Sequence, residues 1–155
     1  MKRLIKLAVN GTEHEVAVNA RETLLDLLRN HLHLTGAKLG CDQQVCGSCT
    51  VLLDGLPVSS CSVLALDADG CSVLTIEGLA SDGELHPIQR AFIEKGALQC
   101  AYCIPGMILA VKALQDQLSN PSEEEIRHFL AGNICRCGCQ MEILQVARLM
   151  TQAAR

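Results

Sequence analysis

The sequence predicts an α+β fold divided between two domains, and three observations support this prediction. Residues 4–79 read as short strands with one helix among them. From His86 onward the apolar residues recur with the period of an α-helix. A Ser-Asp-Gly stretch at residues 81–83 has the composition of a linker. We therefore expect a first domain at residues 1–79 and a second at residues 84–155.

Turn residues separate the predicted strands of the first domain. LIKLAV and EVAV flank the dipeptide Asn10-Gly11, a strong signal for a two-residue hairpin, and TVLLDG and SVLTIEG follow later in the chain. Between these pairs of strands, Thr23 can cap the segment LLDLLRNHL. The leucines of that segment form an apolar stripe, so the predicted helix can cover one face of a small sheet.

Four helices are predicted in the second domain. Ser122 and Glu125 have the spacing of a capping box at the third of them, and Asn120-Pro121 breaks the chain just before it. The four segments are HPIQRAFIEKG, PGMILAVKALQDQL, EEEIRHFLAG and MEILQVARLMTQAA.

Composition argues against several classes of function. A net charge of −4 and only three aromatic residues argue against nucleic-acid binding. No apolar run approaches the roughly 20 residues that span a bilayer, and the start MKRLIKLAVNG lacks the features of a signal peptide. We expect a cytoplasmic protein without a membrane or nucleic-acid partner. The sequence also contains no motif for binding a nucleotide or a flavin.

Ten cysteines in 155 residues point to metal binding, because disulfides are disfavoured in a reducing compartment. Cys41, Cys46, Cys49 and Cys61 follow the pattern C-x4-C-x2-C-x11-C, and its first two intervals match the loop of plant-type [2Fe-2S] proteins. A zinc site would more often show two C-x2-C pairs. A loop containing glycine lets several thiolates converge while its backbone N–H groups point at their sulfurs.

A second set of four cysteines lies in the helical half. Cys100 and Cys103 form C-x2-C, and Cys135 and Cys137 form C-x-C. Neither pair alone is specific, since C-x2-C also occurs in redox and zinc sites. Each pair precedes a predicted helix, however, where the positive end of the helix dipole favours thiolates.

The remaining candidate residues favour structural roles. Cys71 is expected to be a buried structural thiol, whereas Cys139 could compete with Cys137 as a ligand. His86 before Pro87 is typical of the start of a helix. The five histidines are scattered along the chain, so a histidine metal site is not expected.

Over essentially its whole length the chain resembles the small iron–sulfur subunit of the molybdenum hydroxylases, the xanthine oxidase and carbon monoxide dehydrogenase family. The resemblance is specific because many short motifs occur in the same order. The matching segments are LTGAKLGC at residues 34–41, CGSCTVLLDG at 46–55, SC at 60–61, TIEGL at 75–79, QC at 99–100, PGM at 105–107 and GNICRC at 132–137.

The resemblance implies a fold, cofactors and partners. It implies an N-terminal β-grasp, plant-type ferredoxin-like domain and a four-helix-bundle domain, each with one [2Fe-2S] cluster. It also implies that the second cluster lies beside a molybdopterin in a separate large subunit, with Gln99 hydrogen-bonding the pterin. Electrons would pass through the helical-domain cluster and then the β-grasp cluster to an acceptor such as an FAD-binding medium subunit.

Several positions depart from the family pattern, although all eight ligand positions are kept. Gln44 stands where many members have glycine, and Ala101 and Ile104 replace the first glycine and the threonine of C-G-F-C-T-P-G. Gly138, Cys139 and Gln140 replace the usual T-G-Y. We expect both clusters to be retained and the surface that faces the pterin to be altered.

The predicted function is therefore electron transfer within a multi-subunit molybdenum-dependent oxidoreductase, with no substrate-binding catalytic residue on this chain. Two alternatives come from other classes of protein. One is a stand-alone two-cluster ferredoxin that carries electrons by diffusion, and the other is a zinc-stabilised interaction module without a redox role.

Overall fold

The computed structural model describes residues 2–152, and within them it shows an α+β fold with five strands and five α-helices. Strands β1 (Lys2–Val9) and β2 (Thr12–Asn19) form the predicted hairpin. Its turn residues Asn10 and Gly11 have φ angles of 52° and 78°. Positive φ at both positions is what a type I′ turn requires, which explains the Asn-Gly pair.

The predicted first helix is present as a short α-helix followed by a π-helical turn. Helix α1 (Leu24–Asp26) begins at Thr23, whose hydroxyl accepts from the backbone N–H of Asp26 in a capping box. The π-helical turn (Leu27–His31) follows, and the Leu27 carbonyl accepts from the N–H of Leu32 at 3.2 Å. The leucines of both parts are buried against the sheet, as the apolar stripe predicts.

The sheet has the strand order β2-β1-β5-β3-β4. Strands β3 (Thr50–Leu53), β4 (Leu56–Ser59) and β5 (Ser72–Leu74) complete it, with β5 parallel to β1 and the other pairs antiparallel. The predicted strand SVLTIEG ends early, at Leu74. The side chain of Asn10 bonds the N–H of Thr75 at 2.9 Å, and a 3-10 turn (Ile76–Gly78) follows.

Four helices follow the sheet: α2 (Pro87–Glu94), α3 (Ile104–Gln117), α4 (Glu123–Phe129) and α5 (Gln140–Gln152). The capping box of Ser122 and Glu125 is confirmed at α4. His86 begins α2 as predicted, since its Nδ1 accepts from the N–H of Ile88. The predicted last helix extends to residue 154, and residues 153 and 154 lie outside the described residues.

The molecule has two large hydrophobic cores. One lies between the sheet and α1, and the other lies among α2, α3, α4 and α5. Strand β3 joins them, because Val51 faces the first core while Leu52 packs against Leu109 and Ala113 of α3. Successive side chains of a strand point to opposite faces, so Val51, Leu52 and Leu53 form a continuous apolar run in a strand that is covered on both sides. None of the helices in the described part of the chain is long and apolar enough to cross a membrane.

Candidate metal centres

The first set of cysteines lies on an irregular loop that leads into β3. Cys41, Cys46 and Cys49 are on this loop, and Cys61 follows β4. Three backbone N–H groups, those of Gln43, Val45 and Cys46, donate to the Cys41 sulfur at 3.3–3.4 Å. Such a loop surrounds a sulfur with donors that favour its negative charge.

These contacts set the acidity of the thiols. The three N–H donors, helped by the thiol of Cys46, lower the pKa of Cys41 to about 7. Burial has the opposite effect on Cys49, which is 2% exposed, and raises its pKa to about 11. A cysteine binds a metal as a thiolate because the metal's positive charge replaces the proton, so a raised pKa is compatible with a ligand role for Cys49.

The second set of cysteines surrounds the starts of α3 and α5. Cys100 and Cys103 immediately precede α3, while Cys135 and Cys137 lie on the loop before α5. Burial raises the pKa of Cys103 to about 12. The N–H of Tyr102, together with the thiol of Cys137, lowers the pKa of Cys100.

The thiols of each set approach one another in pairs. In the first set the side chain of Cys46 helps to lower the pKa of Cys41, and the neighbouring thiol of Cys61 contributes to the pKa of Cys49. In the second set Cys137 affects the pKa of Cys100 in the same way, and Cys135 affects that of Cys103. Within residues 2–152 no three His, Cys, Asp or Glu side chains are gathered closely enough to hold one metal ion. Each set contains four cysteines, the number that a [2Fe-2S] cluster requires, with two for each iron.

The two sets line one cavity. This cavity has a volume of about 270 Å³, and Tyr102, Ile134 and Arg136 contribute to its wall beside the cysteines. The cysteines that line it are Cys41 and Cys46 from the first set and Cys100, Cys103 and Cys137 from the second.

Direct hydrogen bonds join the two cysteine loops. The N–H of Ile134 donates to the carbonyl of Cys46 at 3.0 Å. The buried side-chain amide of Asn133 donates to the carbonyl of Gly47 at 3.0 Å and to the hydroxyl of Thr50 at 3.2 Å. The Tyr102 hydroxyl donates to the carbonyl of Leu39 at 2.7 Å. These bridging contacts were not predicted from the sequence, although a polar Asn beside a cysteine motif is a signal for one of them.

The remaining candidate residues from the sequence are Cys71, Gln99 and Cys139. Cys71 is partly buried, and its thiol donates to the carbonyls of Asp67 and Asp69 at 3.7 and 3.9 Å. These bonds give Cys71 a structural role, although it is less buried than predicted. Gln99 is exposed and directly precedes Cys100. Cys139 is only 3% exposed.

Two protein-family models together match most of the chain. A family model described as "2Fe-2S iron-sulfur cluster binding domain" matches residues 7–75, and one described as "[2Fe-2S] binding domain" matches residues 75–148. The nicotinate dehydrogenase small FeS subunit of Eubacterium barkeri is 44% identical over 147 residues, which is 95% of this chain and 94% of that protein. The chain belongs to the small [2Fe-2S] subunits of the molybdenum hydroxylase family.

A second curated relative also spans most of the chain. The nicotine 6-hydroxylase small subunit of Paenarthrobacter nicotinovorans is 50% identical over 133 residues, which is 86% of this chain and 80% of that protein.

Solved structures of this family have the same fold. Quinoline 2-oxidoreductase from Pseudomonas putida 86 has a chain that superposes with a TM-score of 0.93 and 39% identity, covering 99% of this chain and 96% of that one. Aldehyde oxidoreductase from Desulfovibrio gigas superposes with a TM-score of 0.91 and 37% identity over 97% of this chain. The match covers only 17% of that longer chain.

Proposed function

We propose that this chain is the electron-transfer subunit of a molybdenum hydroxylase and that its eight paired cysteines hold two [2Fe-2S] clusters. The first cluster is assigned to Cys41, Cys46, Cys49 and Cys61, and the second to Cys100, Cys103, Cys135 and Cys137. The observation that carries this proposal is the convergence of two sets of paired thiols on one cavity. When bound, the clusters supply two one-electron centres in series between a molybdopterin and an acceptor.

The chain's own residues hold, space and tune these centres. Hydrogen bonds from Ile134 and Asn133 fix the distance between the two loops. The N–H groups around Cys41 stabilise negative charge on its sulfur, and negative charge increases when a cluster is reduced. The substrate would be oxidised on another chain.

The finer architecture is part of the same proposal. We assign the sheet and α1 to a β-grasp domain at residues 1–79, and α2 to α5 to a four-helix-bundle domain at residues 84–155. Most residues of each core come from one of these two ranges, which supports this division. Leu79 belongs to the helical core, and Leu52 packs on α3 where the domains meet. The turn at Asp82 and Gly83, where both residues have positive φ, would be the connection.

The proposed partners are a large molybdopterin-binding subunit, together with an FAD-binding medium subunit. Aldehyde oxidoreductase supports the first partner, because there the matching region is a small part of a much longer chain. Gln99 would contact the pterin, since it is exposed beside the ligand Cys100. We also propose a cytoplasmic location, where a reducing environment keeps thiols available for iron.

Metal and sulfide analysis of the purified protein tests this assignment. We expect about four iron and about four labile sulfide per chain, the content of two [2Fe-2S] clusters. Zinc in place of iron, or half this iron content, would overturn the two-cluster assignment. Native purification separates a complex subunit from a stand-alone ferredoxin, because only the subunit should travel with a molybdenum-containing chain.

A further inference from the structure

The helical half of the molecule holds the first cysteine loop at both of its ends. At the far end, the N–H of Ile134 donates to the carbonyl of Cys46 at 3.0 Å. At the near end, the hydroxyl of Tyr102 donates to the carbonyl of Leu39 at 2.7 Å, across 63 positions of sequence. Because Tyr102 lies inside the C-x2-C motif of the second set, a residue of one cysteine motif is bonded to the loop of the other.

The segment between these two points contains Cys41 and the donors that surround its sulfur. That sulfur accepts from three backbone N–H groups of the same loop at 3.3–3.4 Å. Residues 42–45 are exposed, so packing contributes little to holding them in place. The position of these N–H groups therefore depends on how firmly the two ends of the segment are held.

The near end of the segment also lies against the sulfur of Cys46. A Cβ atom at Gly40 would lie 2.8 Å from that sulfur, so the backbone next to Leu39 leaves no room for a side chain. A displacement of the Leu39 carbonyl would therefore move Gly40 and Cys41 relative to Cys46. Through one hydrogen bond, Tyr102 thus acts on the placement of two thiols of the first set.

The bond to Leu39 depends on the phenol hydroxyl alone. Tyr102 stands where the pattern C-G-F-C-T-P-G has phenylalanine, whose ring has the same shape but no donor. Tyr102 is 46% exposed and lines the cavity that the two cysteine sets share. Tyr102→Phe therefore removes one hydrogen bond and leaves the ring and the backbone of the motif in place.

We propose that Tyr102 is a positioning residue for the first cluster, although it lies among the ligands of the second. Its hydroxyl holds the Leu39 end of the first loop, so that the N–H groups of the loop stay directed at the Cys41 sulfur. Reduction adds negative charge to a cluster, so these donors stabilise the reduced form, and a looser loop lowers the reduction potential. The inference rests on the proposed function, because it needs both cysteine sets to hold clusters.

Hydrogen exchange and EPR-monitored redox titration of the purified, cluster-loaded complex test the inference with Tyr102→Phe. We expect about four iron per chain to remain. The amides of residues 39–46 should exchange about twofold to tenfold faster, which is the effect of losing one hydrogen bond. The midpoint potential of the first cluster should fall, and that of the second cluster should not change.

Ser81→Ala is the matched control. It removes an exposed hydroxyl whose bond, to the carboxylate of Asp82 at 3.0 Å, lies outside both cysteine loops. This variant should change neither the exchange of residues 39–46 nor either midpoint potential. Loss of the first cluster alone in Tyr102→Phe would also support the inference, because the loop would then no longer hold its thiols together.

Several results would overturn the inference. Unchanged exchange of residues 39–46, or an unchanged potential of the first cluster, in a fully loaded Tyr102→Phe protein would show that the hydroxyl does not position this loop. A shift or loss of the second cluster alone, or equal shifts of both clusters, would show that Tyr102 acts on its neighbours Cys100 and Cys103. By contrast, a wild-type protein without two [2Fe-2S] clusters would refute the proposed function, and this inference with it.

Discussion

Three non-glycine residues close to the cysteines, Asp42, Gln44 and Ala101, have a backbone conformation that favours glycine. Gln44 has a φ of 57° and stands where many members of the family have glycine, and Ala101, with a φ of 62°, replaces the first glycine of C-G-F-C-T-P-G. The left-handed conformation costs a residue with a Cβ atom roughly 1–2 kcal/mol. The fold therefore keeps the family's loop geometry at these positions, and the strained backbone there lowers the free energy of unfolding.

Replacing Gln44 by glycine should stabilise the protein. Glycine removes the strain but loses more chain entropy on folding, so we expect a gain of up to about 1 kcal/mol in the free energy of unfolding. Urea unfolding of the cluster-loaded protein measures this gain. The matched control is Gln145→Gly at an exposed position inside α5, which should cost about 1 kcal/mol. A loss of stability in both variants would contradict the strain argument.

Helix α3 approaches the first cysteine loop closely at its N-terminus. A Cβ atom at Gly106 would lie 2.3 Å from the carbonyl oxygen of Gly47, which is backbone and cannot rotate away. Gly47 is equally confined, since a Cβ there would lie 2.5 Å from the carbonyl oxygen of Gly132. The glycines of PGM and CGSC thus permit the contact between the helical half and the cluster loop.

Gly106→Ala should therefore destabilise the protein although alanine favours helices. We expect a loss of about 1–3 kcal/mol, the usual cost of forcing extra atoms into a packed site, and weaker retention of the first cluster. Thermal unfolding and iron analysis would measure these effects. Gly132→Ala is the control, because a Cβ there meets nothing within 4 Å. Equal stability of the two variants would mean that the close contact is not needed.

At the scale of the whole molecule, the two cluster loops form one connected unit. The bond from Ile134 to Cys46 uses only backbone atoms, so a change of the Cys46 side chain leaves it available. The ligands of the second set come entirely from the helical half. Loss of one cluster should therefore spare the other.

Cys46→Ala should remove the first cluster and leave the second. We expect iron to fall from about four to about two per chain, with the EPR signal of the helical-domain cluster retained. In the assembled enzyme, substrate should still reduce the molybdenum centre and the remaining cluster in a single turnover, while transfer to the acceptor fails. Stopped-flow reduction followed by addition of the acceptor measures both steps. Normal steady-state turnover in a variant verified to lack this cluster would exclude Cys41, Cys46, Cys49 and Cys61 from the electron path.

Features that depend on local chemistry could be predicted from the sequence. The Asn10-Gly11 hairpin and the Ser122 capping box are confirmed because each depends on residues within one turn. The order and spacing of the motifs also predicted the family correctly. Strand β4 was missed, since Pro57 interrupts the strand pattern, and an edge strand tolerates proline because one side of its backbone needs no partner.

The sequence alone determined which thiols are available, because ligand spacing along a loop is a local property. Only the tertiary structure decided how they pair, since Cys49 meets Cys61 and Cys103 meets Cys135 across long stretches of chain. It also decided that Cys137 is exposed while Cys139 is buried, through the positive φ of Gly138. The physical reason is packing: β3 and α3 share a core, and that contact brings two loops far apart in sequence within hydrogen-bonding distance.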